Sequence, residues 1–174
     1  MSALSREPEN TNYLQPTKFI LSFVKIPDTQ YFCQAVNLPG MRIGSTEYDT
    51  PFRNIPIAGT KIDYNSLNIS FNVNGNLGSW MNLHQWMRSM GSPVGFDDRK
   101  SISAQISERS SLQAYSDATL VILNNLNNPI GKFEFRNVFP TTLSDLDFNT
   151  TMSADDVMVG NATFEFEYYD FVAL

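Results

Sequence analysis

The sequence predicts a mainly β protein: an antiparallel two-sheet β-sandwich or barrel with one flanking α-helix. Three observations carry that expectation. Thirteen Phe, seven Tyr and two Trp load the chain with aromatic side chains, which favour pleated, half-buried surfaces. Apolar residues recur at period two in several short runs, most clearly at Leu67, Ile69, Phe71 and Val73, so that one face of each run seeks a core. Turn residues separate seven or eight such runs, and one stretch alone carries a helical period, the balance of a packed β domain with a helix on its flank.

Residues 1–16 read as a polar N-terminal arm without its own core, in which Tyr13 and Leu14 are free to dock on a neighbour; residues 17–174 read as a single β domain. Thr17–Lys25 places Phe19, Leu21 and Phe23 on one face and Ile20 and Val24 on the other, the pattern of a central strand. A Pro27-Asp28 turn then leads to a second strand at Gln30–Val36, forming an antiparallel hairpin. Asn37-Leu38-Pro39-Gly40 has a type II turn signature, and Met41–Tyr48 is extended. Pro51 and Pro56 cannot donate to a ladder, so their limb lies at an edge or protrudes, with Ala58-Gly59-Thr60 as the expected tip.

The strand from Leu67 to Asn74 is apolar on its odd positions and uncharged polar on Asn68, Ser70, Asn72 and Asn74, a face made for water. Ser79 is the expected N-cap of a helix whose stripe is Trp80, Leu83, Met87 and Met90; Gly91 and Pro93 end it. The serine-rich stretch 92–116 reads as a long loop with a short strand at Ile102–Ile106. Ala118–Leu123 is a buried strand and Ile130–Val138 returns alongside it as a hairpin. Phe139-Pro140-Thr141-Thr142 breaks the pattern, and Ala162–Phe171 closes the chain as one strand with Phe164, Phe166 and Tyr168 on one face.

Charge narrows the function classes. The net charge is −6 and charged residues make up 17%, below the roughly 25% of ordinary soluble domains, which suits a surface covered by partners. After Arg136 there are seven acidic residues and no Lys or Arg, so the remainder of the chain stands at +1. That distribution opposes tight wrapping of DNA by phosphate neutralisation. The N-terminus lacks the apolar core of a signal peptide, and no run approaches the ~18 apolar residues of a membrane span. Cys33, the single cysteine, rules out an internal disulfide framework and reads as a buried, inert thiol.

Catalytic and cofactor motifs are missing. The glycines lie at turns between strands rather than in a phosphate-cradling loop. A nucleophile–base pair would have to use His84, the one histidine, on a helix that reads as structural. The pairs Asp97/Asp98 and Asp155/Asp156 lack the spaced oxygen ligands of a calcium loop. Asp145 with Asp147, and Glu165 with Glu167, have the i, i+2 spacing of a solvated acidic strand face. No catalytic, cofactor-binding or metal-binding residue is assigned.

Three segments, taken together, resemble the tail tube protein family of contractile-tailed (T4-like) bacteriophages. They are YFCQAVNLPGMRIGS, a strand entering an LPG turn; FRNIPIAGTKIDYNSLNISFNVNGNLGSWMNLHQWM, a hairpin and strand leading to a Trp-bearing helix; and the close NVFPTTLSDLDFNTT…ATFEFEYYDF, where Phe139-Pro140 stands for the usual Trp-Pro. They occur in family order over about residues 17–171.

The resemblance implies a structural virion protein that forms homohexameric rings, stacked into the tail tube that conducts DNA. It implies partners in sheath, baseplate and terminator proteins, passage of DNA without sequence-specific binding, no membrane, and assembly in the host cytoplasm. On that reading Asn68, Ser70, Asn72 and Asn74 face the lumen, and Arg53, Ile55, Ile57, Lys61 and Asp63 form an inter-ring hairpin. The N-terminal arm, the Phe71–Pro93 wording and the stretch 92–116 depart from the repeating subunit. They suit the alternative of a specialised end ring: a tube terminator below the head or an initiator at the baseplate. A rival of another class is a monomeric ligand- or carbohydrate-binding β-barrel, suggested by the aromatics and paired acids.

Overall fold

The computed structural model describes residues 13–26, 32–91, 115–151, 153 and 156–174. Nine strands and one helix occur among them: β1 (Phe19–Phe23), β2 (Cys33–Val36), β3 (Met41–Asp49), β4 (Asn54–Tyr64), β5 (Leu67–Asn72), α1 (Gly78–Gly91), β6 (Ser116–Leu123), β7 (Pro129–Leu143), β8 (Val159–Glu165) and β9 (Tyr168–Ala173). Every pairing is antiparallel. The protein is mainly β, as expected.

Strand β7 organises the ladder. Its first half, Gly131 to Arg136, pairs with β9 on one side and with β6 on the other. Its second half, Phe139 to Leu143, pairs with β8. The order runs β1-β6-β7-β8-β5-β2, with β9 beside β7. The changeover falls at Asn137, whose φ of 53° is left-handed, a conformation that asparagine tolerates better than most residues. So Phe139-Pro140 is not a break. Pro140 is buried, opposite Phe164, and a register shift after it absorbs the missing donor.

The core fills the space between the two halves of this ladder. Leu21, Phe23, Leu120 and Phe135 come from one half, and Leu67, Ile69, Phe71, Ala162 and Phe164 from the other. The Phe23 and Phe164 rings stack across the gap at 4.9 Å. Helix α1 closes one side through Leu83 and Trp86. Trp86 is 4% exposed, so the buried stripe runs Ser79, Leu83, Trp86, Ser89. The expected stripe of Trp80, Leu83, Met87 and Met90 is therefore rotated: Trp80 and Met90 flank the core half-buried. The indole of Trp80 instead donates to the Ser144 carbonyl at 3.3 Å and stacks on His84.

The helix start also differs. Ser79 is fully buried within the first turn. Asn76 Oδ1 accepts from the Gly78 amide (3.0 Å) and Asn74 Oδ1 from the Ser79 amide (3.1 Å). Two asparagines upstream thus satisfy the orphan N–H groups that a serine was expected to cap.

Several pairings follow tertiary contacts rather than sequence neighbours. β1 and β2 do not form a hairpin: β1 pairs with β6 and β2 with β5. β1 lies at one end of the strand order rather than in the centre, which explains why Ile20 and Val24 are exposed. The closing segment is two strands. It bends at Phe166–Glu167, so Tyr169 turns inward and Tyr168 outward. Cys33 is half-buried, with its thiol donating to the Ala35 carbonyl at 3.6 Å. The stretch 92–114, the Ile102–Ile106 strand, the Pro27-Asp28 turn, the pairs Asp97/Asp98 and Asp155/Asp156 (through Asp155) and arm residues 1–12 fall outside the described residues.

Candidate functional site

Two surfaces stand out: a neutral sheet face and a projecting ribbon. The face is built by β5 and β8, whose inward residues are Leu67, Ile69, Phe71, Gly160, Ala162 and Phe164 and whose outward residues, Val159 and Glu165 apart, are uncharged and polar. Register pairs Asn68 with Thr163, Ser70 with Asn161 and Asn72 with Val159. The pairs bond across the strands: Thr163 Oγ1 donates to Asn68 Oδ1 (2.9 Å) and Ser70 Oγ to Asn161 Oδ1 (2.6 Å). Asn37 clamps the edge, its side chain accepting from the Asn68 amide (2.6 Å) and donating to the Ser66 carbonyl (3.0 Å). Such pairs spend their donors and acceptors on one another, which leaves a smooth surface with little to offer a ligand. Glu165, exposed at the end of β8, is the ionisable group of these two strands.

The outward face of the other half of the ladder is different. There Arg136 bridges Asp117 (2.8 Å) and Glu134 (2.9 Å), and Lys132 lies 2.6 Å from Glu134. The Lys132 hydrogen bond and charge hold Glu134 below the usual carboxylate range. Charge is thus concentrated on one outer face, while the other carries Glu165 at its end.

Of the four candidate lumen residues, Asn68, Ser70 and Asn72 lie on the neutral face. Asn74 does not belong to the strand, which stops at Asn72; its side chain is engaged at the start of α1, accepting from the Ser79 amide and hydroxyl. Asn72 Oδ1 is enclosed without a partner among the described residues. Thr163 and Asn161 complete the face and were missed. The alternation of Asn161, Thr163 and Glu165 with Gly160, Ala162 and Phe164 was the signal that would have found them.

The ribbon is β3 paired with β4, from Met41 opposite Tyr64 to Asp49 opposite Asn54. Nearly every residue of both strands is exposed. The tip is Thr50–Arg53 rather than Ala58–Thr60: Thr50 Oγ1 donates to the Arg53 carbonyl (2.6 Å) and accepts from its amide (3.2 Å). Gly59 lies mid-strand at a register shift, where β4 carries two more residues than β3 between the pairs Ser45–Ala58 and Ile43–Ile62. A glycine within a strand pattern marks a close backbone approach as readily as a turn.

On the tip side of the shift Ile55 and Ile57 face across to Tyr48 and Thr46, and on the base side Asp63 pairs with Arg42. Arg53 belongs to the tip and Lys61 to the bulge, so the five candidate residues span the ribbon's length. Phe52, missed in the sequence, is 97% exposed at the tip. At the base the Asn65 amide donates to the Gly40 carbonyl (3.0 Å). Tyr64 packs on Phe166 and Tyr169 there, and the Tyr169 hydroxyl donates to the Pro39 carbonyl (3.0 Å). A two-stranded ribbon is marginal alone in water, and exposed Ile43, Tyr48, Phe52, Ile55, Ile57 and Ile62 mark a surface made to be covered.

A pocket of about 550 Å³ with polar and apolar walls lies beside the start of β8, lined by Ser144, Asp145, Asp147, Phe148, Asp156, Val157 and, from the neutral face, Asn161 among others. Among the described residues no three His, Cys, Asp or Glu side chains converge as metal ligands, and no helix is long and apolar enough to cross a membrane.

The fold is thus strand-rich with one bracing helix, a neutral sheet face and an exposed two-stranded ribbon. The chain belongs to the phage tail tube protein family, whose model matches residues 11–172. It is 27% identical over 165 residues to the tail tube terminator protein of Enterobacteria phage T4, a match covering 91% of this chain and 88% of that protein. In fold it is similar to the tube-terminating cap of the anti-feeding prophage, with a TM-score of 0.66 at 12% identity over all of both chains. It is also similar to a chain of the sheath–tube complex of the PVC extracellular contractile injection system in its extended state. There the TM-score is 0.63 at 15% identity, covering 100% of this chain and 99% of that one.

Proposed function

We propose that this protein forms the end ring of a contractile phage tail tube, a terminator, rather than the repeating tube subunit first expected. The observation that carries the reading is the near full-length sequence similarity to a tail tube terminator protein. Fold similarity does not separate the two roles, since the cap and the sheath–tube chain resemble this one almost equally. The end ring is a structural component of the virion, homohexameric, in contact with tube and sheath subunits, and assembled in the host cytoplasm without catalysis.

In that ring the neutral face of Asn68, Ser70, Asn72, Asn161 and Thr163 lines the channel. DNA adheres to proteins chiefly through cations that displace phosphate counterions, and these positions offer none. DNA therefore passes without sequence-specific contact. The ribbon, with Arg53, Ile55, Ile57, Lys61 and Asp63 along it, is the contact to neighbouring subunits.

The test is to add the purified protein to growing tubes of the cognate tube subunit and image them. Rings of this protein seated at tube ends, with elongation arrested, are expected. Incorporation along the tube's length would restore the repeating-subunit reading. A monomer that never engages tubes would favour the ligand-binding β-barrel.

A further inference from the structure

The ribbon's base lies at one end of β5, and the acidic pocket extends from the middle of that strand, where Asn161 faces Ser70, to its other end. The ribbon's base, Asn65, lies just before Leu67, whereas Asn72 at the other end of the strand lies opposite Val159, a pocket residue. The six residues of β5 separate the ribbon's base from that end of the strand by roughly 20 Å. Each surface lacks what the other carries. The tip presents Phe52, almost fully exposed, beside Arg53, whose guanidinium has no partner among the described residues. The pocket presents exposed Phe148 and Val157 next to Asp145, Asp147 and Asp156, none of which makes an ion pair among the described residues. Its volume of about 550 Å³ lies within the range of roughly 300–1,000 Å³ usual for ligand pockets.

We propose that the Thr50–Arg53 tip of one copy seats in the Asp145/Asp147/Asp156 pocket of a second copy of this chain, Phe52 against Phe148 and Val157 and Arg53 among the carboxylates. The proposal rests on the ring reading above and names the partner of the ribbon. A tip in a pocket is a heterologous contact, which closes into a ring or runs on as an open series according to its rotation.

The experiment pairs Phe52→Cys with Val157→Cys in the full chain carrying Cys33→Ser, under mild oxidation, beside imaging of the same sample. A ladder of disulfide-linked copies is expected on a non-reducing gel. A ladder that stops at the size of one ring means the contact closes within the ring, and a longer ladder means that it runs between rings. Adding Arg53→Glu should cut the cross-linked fraction about tenfold, and Asp156→Lys on top of it should restore the ladder. Intact rings without cross-links, or cross-links indifferent to Arg53→Glu, would overturn the inference and leave the ring reading standing. Monomers alone in the images would overturn both.

Discussion

Gly59 packs backbone to backbone on Gly44: a β-carbon on Gly59 would stand 2.5 Å from the Gly44 carbonyl oxygen. That oxygen belongs to the main chain of the facing strand and cannot swing aside as a side chain would. Gly44 has nothing within 4 Å of its own β-carbon position. Gly59→Ala should therefore pry the ribbon open at its register shift, at about 1–3 kcal/mol, while Gly44→Ala should not. Hydrogen exchange measured by mass spectrometry should show ribbon amides exchanging about tenfold faster or more in Gly59→Ala, with β5 and β8 unchanged. Equal behaviour of the two variants would contradict this account of the bulge.

Tyr169 ties the ribbon's entry to the core, its ring packed on Phe133, Phe135 and Tyr64 and its hydroxyl bonded to Pro39. Tyr169→Phe keeps the ring and strands the Pro39 carbonyl, so about 1 kcal/mol of stability should go. Urea unfolding should show a lower midpoint at an unchanged slope. Tyr168→Phe, on the outward side, should move the midpoint little.

The neutral face makes a prediction about DNA. Asn68 and Glu165 are exposed on β5 and β8, and a lysine at 68 gives up the solvent-exposed bond from Thr163. The double variant Asn68→Lys, Glu165→Lys should gain binding to a DNA oligonucleotide, visible by fluorescence anisotropy and lost steeply between about 50 and 200 mM salt. The parent should show none. Comparable binding by the parent would remove this face from the channel.

Burial pushes the Cys33 thiol up to about 11, partly opposed by hydrogen bonding with the Ala35 backbone. The thiolate is the reactive form, so at pH 8 alkylation of the folded protein should run roughly a hundredfold slower than in urea. The rate should climb with pH through 10 and level off only above the shifted value. Fast labelling at pH 8 would mean that β2 opens readily from β5.

Much of this protein was legible before any coordinates. Leu67, Ile69 and Phe71 are buried as their alternation required. The prolines at 51 and 56 kept their limb out of the main sheet. The run of polar side chains at Asn68, Ser70 and Asn72 marked out the uncharged outward face of β5. What misled were residues with two physical uses. Gly59 looked like a turn and is a strand residue against a neighbouring backbone. Pro140 looked like a break and occupies a register shift. Trp80 and Trp86 both fit a helical stripe, and packing against Phe164, which no local pattern contains, selected Trp86 for the core.

The sequence by itself determined the class of fold, the amphipathic faces and the neutrality of the candidate channel wall, because these follow from local periodicity and side-chain chemistry. The tertiary structure decided which strands pair. Partners such as β1 with β6 and β5 with β8 lie roughly 90 to 100 residues apart, and a ladder hydrogen bond is blind to side-chain identity. It also decided that Ser144, Asp145 and Asp147 come to share a pocket with Val159 and Asn161, since that depends on how the chain returns along β8.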